Sequence, residues 1–128
     1  STPLQTLFPY TTLFRSARMF AEQNFNLISQ AVENEHKKMC STYGDKYHSE
    51  HEGYAVLKEE IEEAEEEVKI INDFFSRLWI NIKKNEHFVC ELKGIKGRAE
   101  LLAHEAFQVS AVCQKFLNTL QGESKEND

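Results

Sequence analysis

Proline is missing from the chain after residue 9: both prolines, Pro3 and Pro9, sit near the amino terminus, and residues 10–128 contain none. So long a stretch without the residue that most strongly interrupts helices favours long helices. Cysteine is scarce too, and the three present, Cys40, Cys90 and Cys113, are an odd number with no CxxC spacing. That excludes a disulfide framework and suits a reducing compartment, so a cytoplasmic protein is expected, in the host cell if the gene is viral. No apolar run is long enough to span a bilayer. Positive charge is also in short supply. Fifteen Lys and Arg face twenty-one Asp and Glu, a formal net charge of −6, which argues against DNA, RNA or an anionic membrane as the partner.

The most apolar stretch near the start, TLFPYTTLFRS at residues 6–16, does not read as a signal sequence, because no basic region precedes it and a proline interrupts it. It is identical to the translation of a universal adapter used in short-read DNA sequencing. Residues 1–16 are therefore expected to be a non-native, adapter-derived segment, read through in a metagenomic assembly. The remaining chain is one domain of roughly 110 residues, small enough to gain from oligomerisation. The polar residues 122–128 are expected to form a disordered tail.

Between these ends the apolar residues fall at helical spacing. From Tyr54 they recur at Leu57, Ile61, Ala64, Val68, Ile71, Phe75, Leu78 and Ile82, steps of three and four that place one stripe along a single helix. Ser49 followed by Glu52 is a capping box at its start, so the helix is expected over about 50–84. A second stripe runs from Phe88 through Leu102, Ala106, Val109 and Cys113 to Leu120, predicting a helix over about 88–121. Gly94 and Gly97 each cost about 1 kcal/mol of helix propensity, so the helix is expected either to kink at 94–97 or to start only near Gly97. A turn between the stripes folds them into an antiparallel hairpin in which Ile82 meets Phe88, Ala64 meets Ala106 and Leu57 meets Cys113. A looser stripe predicts a first helix over about 17–41. The expected fold is all-α: a long antiparallel helical hairpin plus an N-terminal helix. Phe74, Phe75, Trp79 and Ile80 wrap more of the helix than one hairpin can cover, so a homo-oligomer, at least a dimer completing a four-helix-type bundle, is expected.

The run KEEIEEAEEEV at 58–68 reads first as a solvated acidic surface. Its position gives it a second meaning. Beside the main stripe lies another, Val56, Glu60, Glu63, Glu67, Ile70 and Phe74, apolar at its ends and acidic in its middle. The returning helix carries Arg98, Leu101, Glu105, Gln108 and Val112 in the matching place. Two helices then present Glu-x-x-Glu and Glu-x-x-Gln to each other, the way helical bundles assemble oxygen ligands for hard divalent ions. A second candidate site is YGDKYHSEHEGY, residues 43–54, at the start of the long helix, where free amides attract phosphate. There Lys46 and His51 are candidate phosphate donors and Tyr47 and Tyr54 candidate platforms for a base, although Tyr47 and Tyr54 also read as packing residues. Arg98 belongs to a basic cluster, KGIKGR, suited to a phosphate but lacking Walker spacing. Cys113 reads as packing and His104 as surface.

HEGYAVLKEEIEEAEEEV, followed about forty residues later by HEAFQVSAVCQKFL, resembles the MazG-like all-α NTP pyrophosphohydrolases over roughly residues 43–118. The resemblance implies Mg²⁺ bound by Glu60, Glu63 and Glu105, holding a nucleoside triphosphate for attack by water. It implies an Asp where this chain has Gln108. A neutral amide supplies a metal ligand but neither a negative charge nor a base, which weakens hydrolysis more than binding. The sequence is also similar to short phage and prophage proteins. Together these imply a protein that sequesters a nucleotide or cyclic-nucleotide immune signal without turnover, with no catalytic residue. Two alternatives stay open: an Mg²⁺-dependent pyrophosphohydrolase, and a helical oligomer that binds a protein partner.

Overall fold

The computed structural model describes the backbone of residues 4–127 and the side chains of residues 15–122. Three α-helices make up the described chain, with no strand: α1 (Leu4–Tyr43), α2 (Glu50–Lys83) and α3 (Val89–Asn127). None is long and apolar enough to cross a membrane.

The start of α2 is fixed by local chemistry. Ser49 is extended, and its Oγ accepts the N–H of Glu52 at 3.1 Å, satisfying one of the amides that open a helix. Glu50 and Glu52 in the first turn and Lys83 in the last both suit the helix dipole. Beyond Lys83 the chain reverses through Asn85, which takes a left-handed φ of 55°, a conformation Asn tolerates better than most residues. Asn81 Nδ2 donates to His87 O at 3.1 Å and fastens the turn.

Several expectations differ from what is observed. Helix α1 is not confined to 17–41 but runs through the adapter-like stretch from Leu4. The side chains of residues 1–14 lie outside those described. Helix α3 continues to Asn127, past the point where a disordered tail was expected at 122. Helix α3 does not start only near Gly97, because it is continuous across both glycines. The reason is packing. The Phe74 ring lies on the backbone of Gly94, where a β-carbon would stand 2.6 Å from it, and the Phe116 ring lies on Gly53 in the same way, at 2.7 Å. The missing side chains let the helices approach, and the contact more than offsets the propensity lost at Gly94.

These two ring-on-glycine contacts set the antiparallel register of α2 and α3, while α1 packs on α3. The acidic stripe lies at the edge of their contact, as the sequence suggests, with Glu60 and Glu67 half-buried and Glu63 exposed. The main apolar stripe does not lie inside it: Tyr54 is 66% exposed, Phe75 62% and Val68 43%. Ile61, Ala64 and Val68 line an open groove with Ala106 and Val109. Among the described residues the buried apolar side chains are Tyr47, Ala111 and Val112, joined by the polar Lys115 and Thr119.

Candidate functional site

On α2, residues 60 and 63 are one turn apart and face the same way; on α3, residues 105 and 108 do so too. The antiparallel register brings the pairs level. One carboxylate oxygen from each of Glu60, Glu63 and Glu105 lies within 4.8 Å of the other two. Glu60 and Glu105 are half-buried and Glu63 is exposed, so the cluster opens to solvent on one side.

Such a cluster carries an electrostatic cost. Burial pushes the Glu60 carboxyl above the usual carboxylate range, and the charges of Glu63 and Glu105 push it further. Glu105 is raised as well, first by burial and then by its hydrogen bond with Glu63 and that residue's charge, with His104 opposing. The amide of Gln108 relieves part of this. Turned with its nitrogen toward the carboxylates, it donates to Glu105 Oε2 at 2.9 Å and to Glu60 Oε2 at 3.1 Å. In the opposite orientation its nitrogen lies 3.4 Å from His104 Nε2 and its oxygen joins the acceptors. The first orientation suits the bare cluster, and the second is the one a cation would select.

Three carboxylates and an amide oxygen are the donor set of a hard divalent ion. Oxygens on opposite sides of Mg²⁺ stand roughly 4.2 Å apart, and of Ca²⁺ about 5 Å, so the 4.8 Å spread fits with little adjustment. The neighbouring charge pair is Arg98 with Glu67: the guanidinium Nη1 lies 3.3 Å from each carboxylate oxygen. Arg98 is thereby engaged within the helix pair, at the edge of the cluster.

Of the other expected nucleotide contacts, Tyr47 approaches the cluster, its hydroxyl sensing the Glu60 charge. Tyr54 stands about 9 Å along the helix from Glu60, and it and His51 are exposed at the start of α2. Lys46 is exposed and runs its ammonium against Gly122. Tyr47 is no platform for a base, since it is 7% exposed and its ring is already in use. The Lys115 ammonium sits over it, 4.4 Å from the centroid, and Phe116 meets it edge-on at 6.1 Å. Its N–H donates to Thr119 Oγ1 at 2.9 Å. Burial, with the Glu60 charge next, raises its hydroxyl to a pKa of about 12.

Lys115 and Thr119 were not anticipated. The signal was there, because the stripe Glu105, Gln108, Val112 continues by steps of three and four to both. Lys115 is 2% exposed and has no carboxylate partner among the described residues. A Cys–His–Asn group joins α1 to α3: His36 Nε2 lies 3.3 Å from Cys40 Sγ and 3.5 Å from Asn118 Nδ2. Both neighbours share one ring nitrogen, which is not the arrangement of a nucleophile, base and orienting group. Burial, with Asp45 adding to it and Lys115 opposing, also raises the Cys40 thiol, the wrong direction for a nucleophile.

Compared with protein-family models, with characterised proteins and with solved structures, the chain matches none.

Proposed function

We propose that this chain is a nucleotide-binding protein that takes its ligand together with a divalent cation at Glu60, Glu63, Glu105 and Gln108, and holds it without turnover, working as a homo-oligomer. The observation that carries this reading is the carboxylate cluster. Three like charges are drawn together from two helices, two of them half-buried and raised in pKa, an arrangement that favours a bound cation over an empty site. Mg²⁺, when bound, would supply positive charge for the phosphates of a nucleotide. The resemblance to MazG-like proteins supplies the nucleotide as the ligand class.

Retention without hydrolysis follows from Gln108. At the fourth ligand position an amide offers an oxygen but cannot take a proton from water. In a phage protein, such binding would drain a nucleotide messenger of the host, many copies acting in place of turnover. Polymeric DNA or RNA and membranes are not its partners on this reading. One observation favours a second reading, Mg²⁺-dependent pyrophosphohydrolysis: exposed His104 lies beside Gln108, where a neutral imidazole can accept a proton.

The test is to incubate the protein and Mg²⁺ with NTPs, cyclic di- and trinucleotides and cyclic ADP-ribose isomers, then assay the filtrate before and after heat denaturation. A ligand that disappears and returns intact supports sequestration. One that returns cleaved supports hydrolysis, and a panel left untouched favours a protein partner.

A further inference from the structure

Large apolar side chains stand exposed on all three helices, among them Phe20 and Phe25 on α1 and Ile61, Val68, Phe75 and Trp79 on α2. On α2 and α3 they adjoin an apolar strip: Ile61, Val68 and Val109 line one groove, and Cys113, Phe116 and Leu120 line another.

The charges beside this strip say what covers it. Between Glu50 and Val68 helix α2 carries nine acidic residues and a single Lys; between Lys69 and Lys83 it carries three basic residues and a single Asp. The helix is acidic in its first half and basic in its second. A parallel neighbour of the same kind would set like charges side by side, whereas an antiparallel one sets Glu50 and Glu52 against Lys83 and Lys84 at both ends.

We infer that a second copy of the chain docks antiparallel on the apolar face of α2 and α3, burying Ile61, Val68, Val109 and Phe116 in a four-helix core. A pair of helices about 50 Å long and 20 Å wide offers a footprint of roughly 1,000 Å² per copy, so the two copies together bury an area typical of obligate dimers. Glu60, Glu63 and Glu105 lie toward the other flank of the α2–α3 contact, so each copy keeps its own carboxylate cluster. The inference specifies the homo-oligomer and is independent of the nucleotide reading.

Sedimentation equilibrium of the full chain should give twice the 14.9 kDa mass, Val109→Glu should shift it toward the monomer, and Glu66→Lys, at an exposed position on the side of α2 away from Ile61 and Val68, should leave the dimer intact. A monomeric wild type, or a Val109→Glu protein that stays fully dimeric, overturns the proposal. Orientation is read on the unmodified protein by carbodiimide cross-linking of mixed ¹⁴N and ¹⁵N chains. Glu50 or Glu52 should link to Lys83 or Lys84 between copies, a link one straight α2 cannot make to itself across more than 40 Å. Absence of these links from the dimer overturns the antiparallel arrangement, even if Val109→Glu fails to fold.

Discussion

The ring of Phe74 rests on the backbone of Gly94, leaving no room for a β-carbon, which would stand 2.6 Å from the ring. Gly97, three residues on, has nothing within 4 Å of that position. The two glycines of one helix should therefore respond in opposite ways to the same substitution. Gly97→Ala should stabilise by about 0.5–1 kcal/mol through helix propensity. Gly94→Ala should destabilise by about 1–3 kcal/mol, as overpacking outweighs that gain. Urea denaturation of both variants measures the difference.

Those glycines also mark where sequence reading stops. Periodicity gives the two long helices, and the Ser49 cap places the start of α2, because both are local patterns. The pairing of Glu60 and Glu63 with Glu105 and Gln108 was legible as well, since an antiparallel hairpin with a short turn leaves little choice of register. Whether Gly94 breaks a helix or admits a neighbour depends on Phe74, twenty residues away, and no local scale contains that. The same limit hid which stripe lies at the α2–α3 contact: Val68 and Phe75 look like core by spacing, yet they face outward in the single chain. Tyr47 was readable as an aromatic near a helix start, but its burial depends on Lys115 and Phe116 of α3.

Thr119 Oγ1 accepts the buried N–H of Tyr47 and donates to Lys115 O at 2.8 Å. Thr119→Val keeps the shape and removes the acceptor, so an amide loses its partner in a buried place. The expected loss is about 1–3 kcal/mol, measured by thermal or urea unfolding. Ser41→Ala, which removes only an exposed bond to Lys38 O, should change stability far less.

Stability without divalent ions should fall as pH rises from the ordinary carboxylate value of 4.5 toward neutrality. Glu60 and Glu105 have raised pKa values, so in that window the folded chain holds protons that the unfolded chain has released. Stability must then decline with rising pH. The contribution is fully present below the unfolded value and lost as pH passes the folded one. Melting temperature against pH measures the trend, and Glu60→Gln should flatten it.

Gln108→Glu replaces a donor to two carboxylates with a fourth negative charge. Without divalent ions at neutral pH the variant should melt below the wild type, because repulsion replaces the two hydrogen bonds. With Mn²⁺ it should gain more in melting temperature than the wild type does, since binding to the folded state stabilises in proportion to affinity. Calorimetric scans with and without Mn²⁺ read both effects.

The carboxylate cluster as a cation site is tested most directly by titrating the full chain with Mn²⁺ and following free ion by electron paramagnetic resonance, alongside Glu60→Gln and Glu105→Gln. The account predicts saturable binding by the wild type that weakens at least about tenfold in each variant, as removal of a direct ligand should cost no less than loss of an outer-shell partner. Mn²⁺ binding that is absent in the wild type, or equally strong in all three proteins, would contradict it.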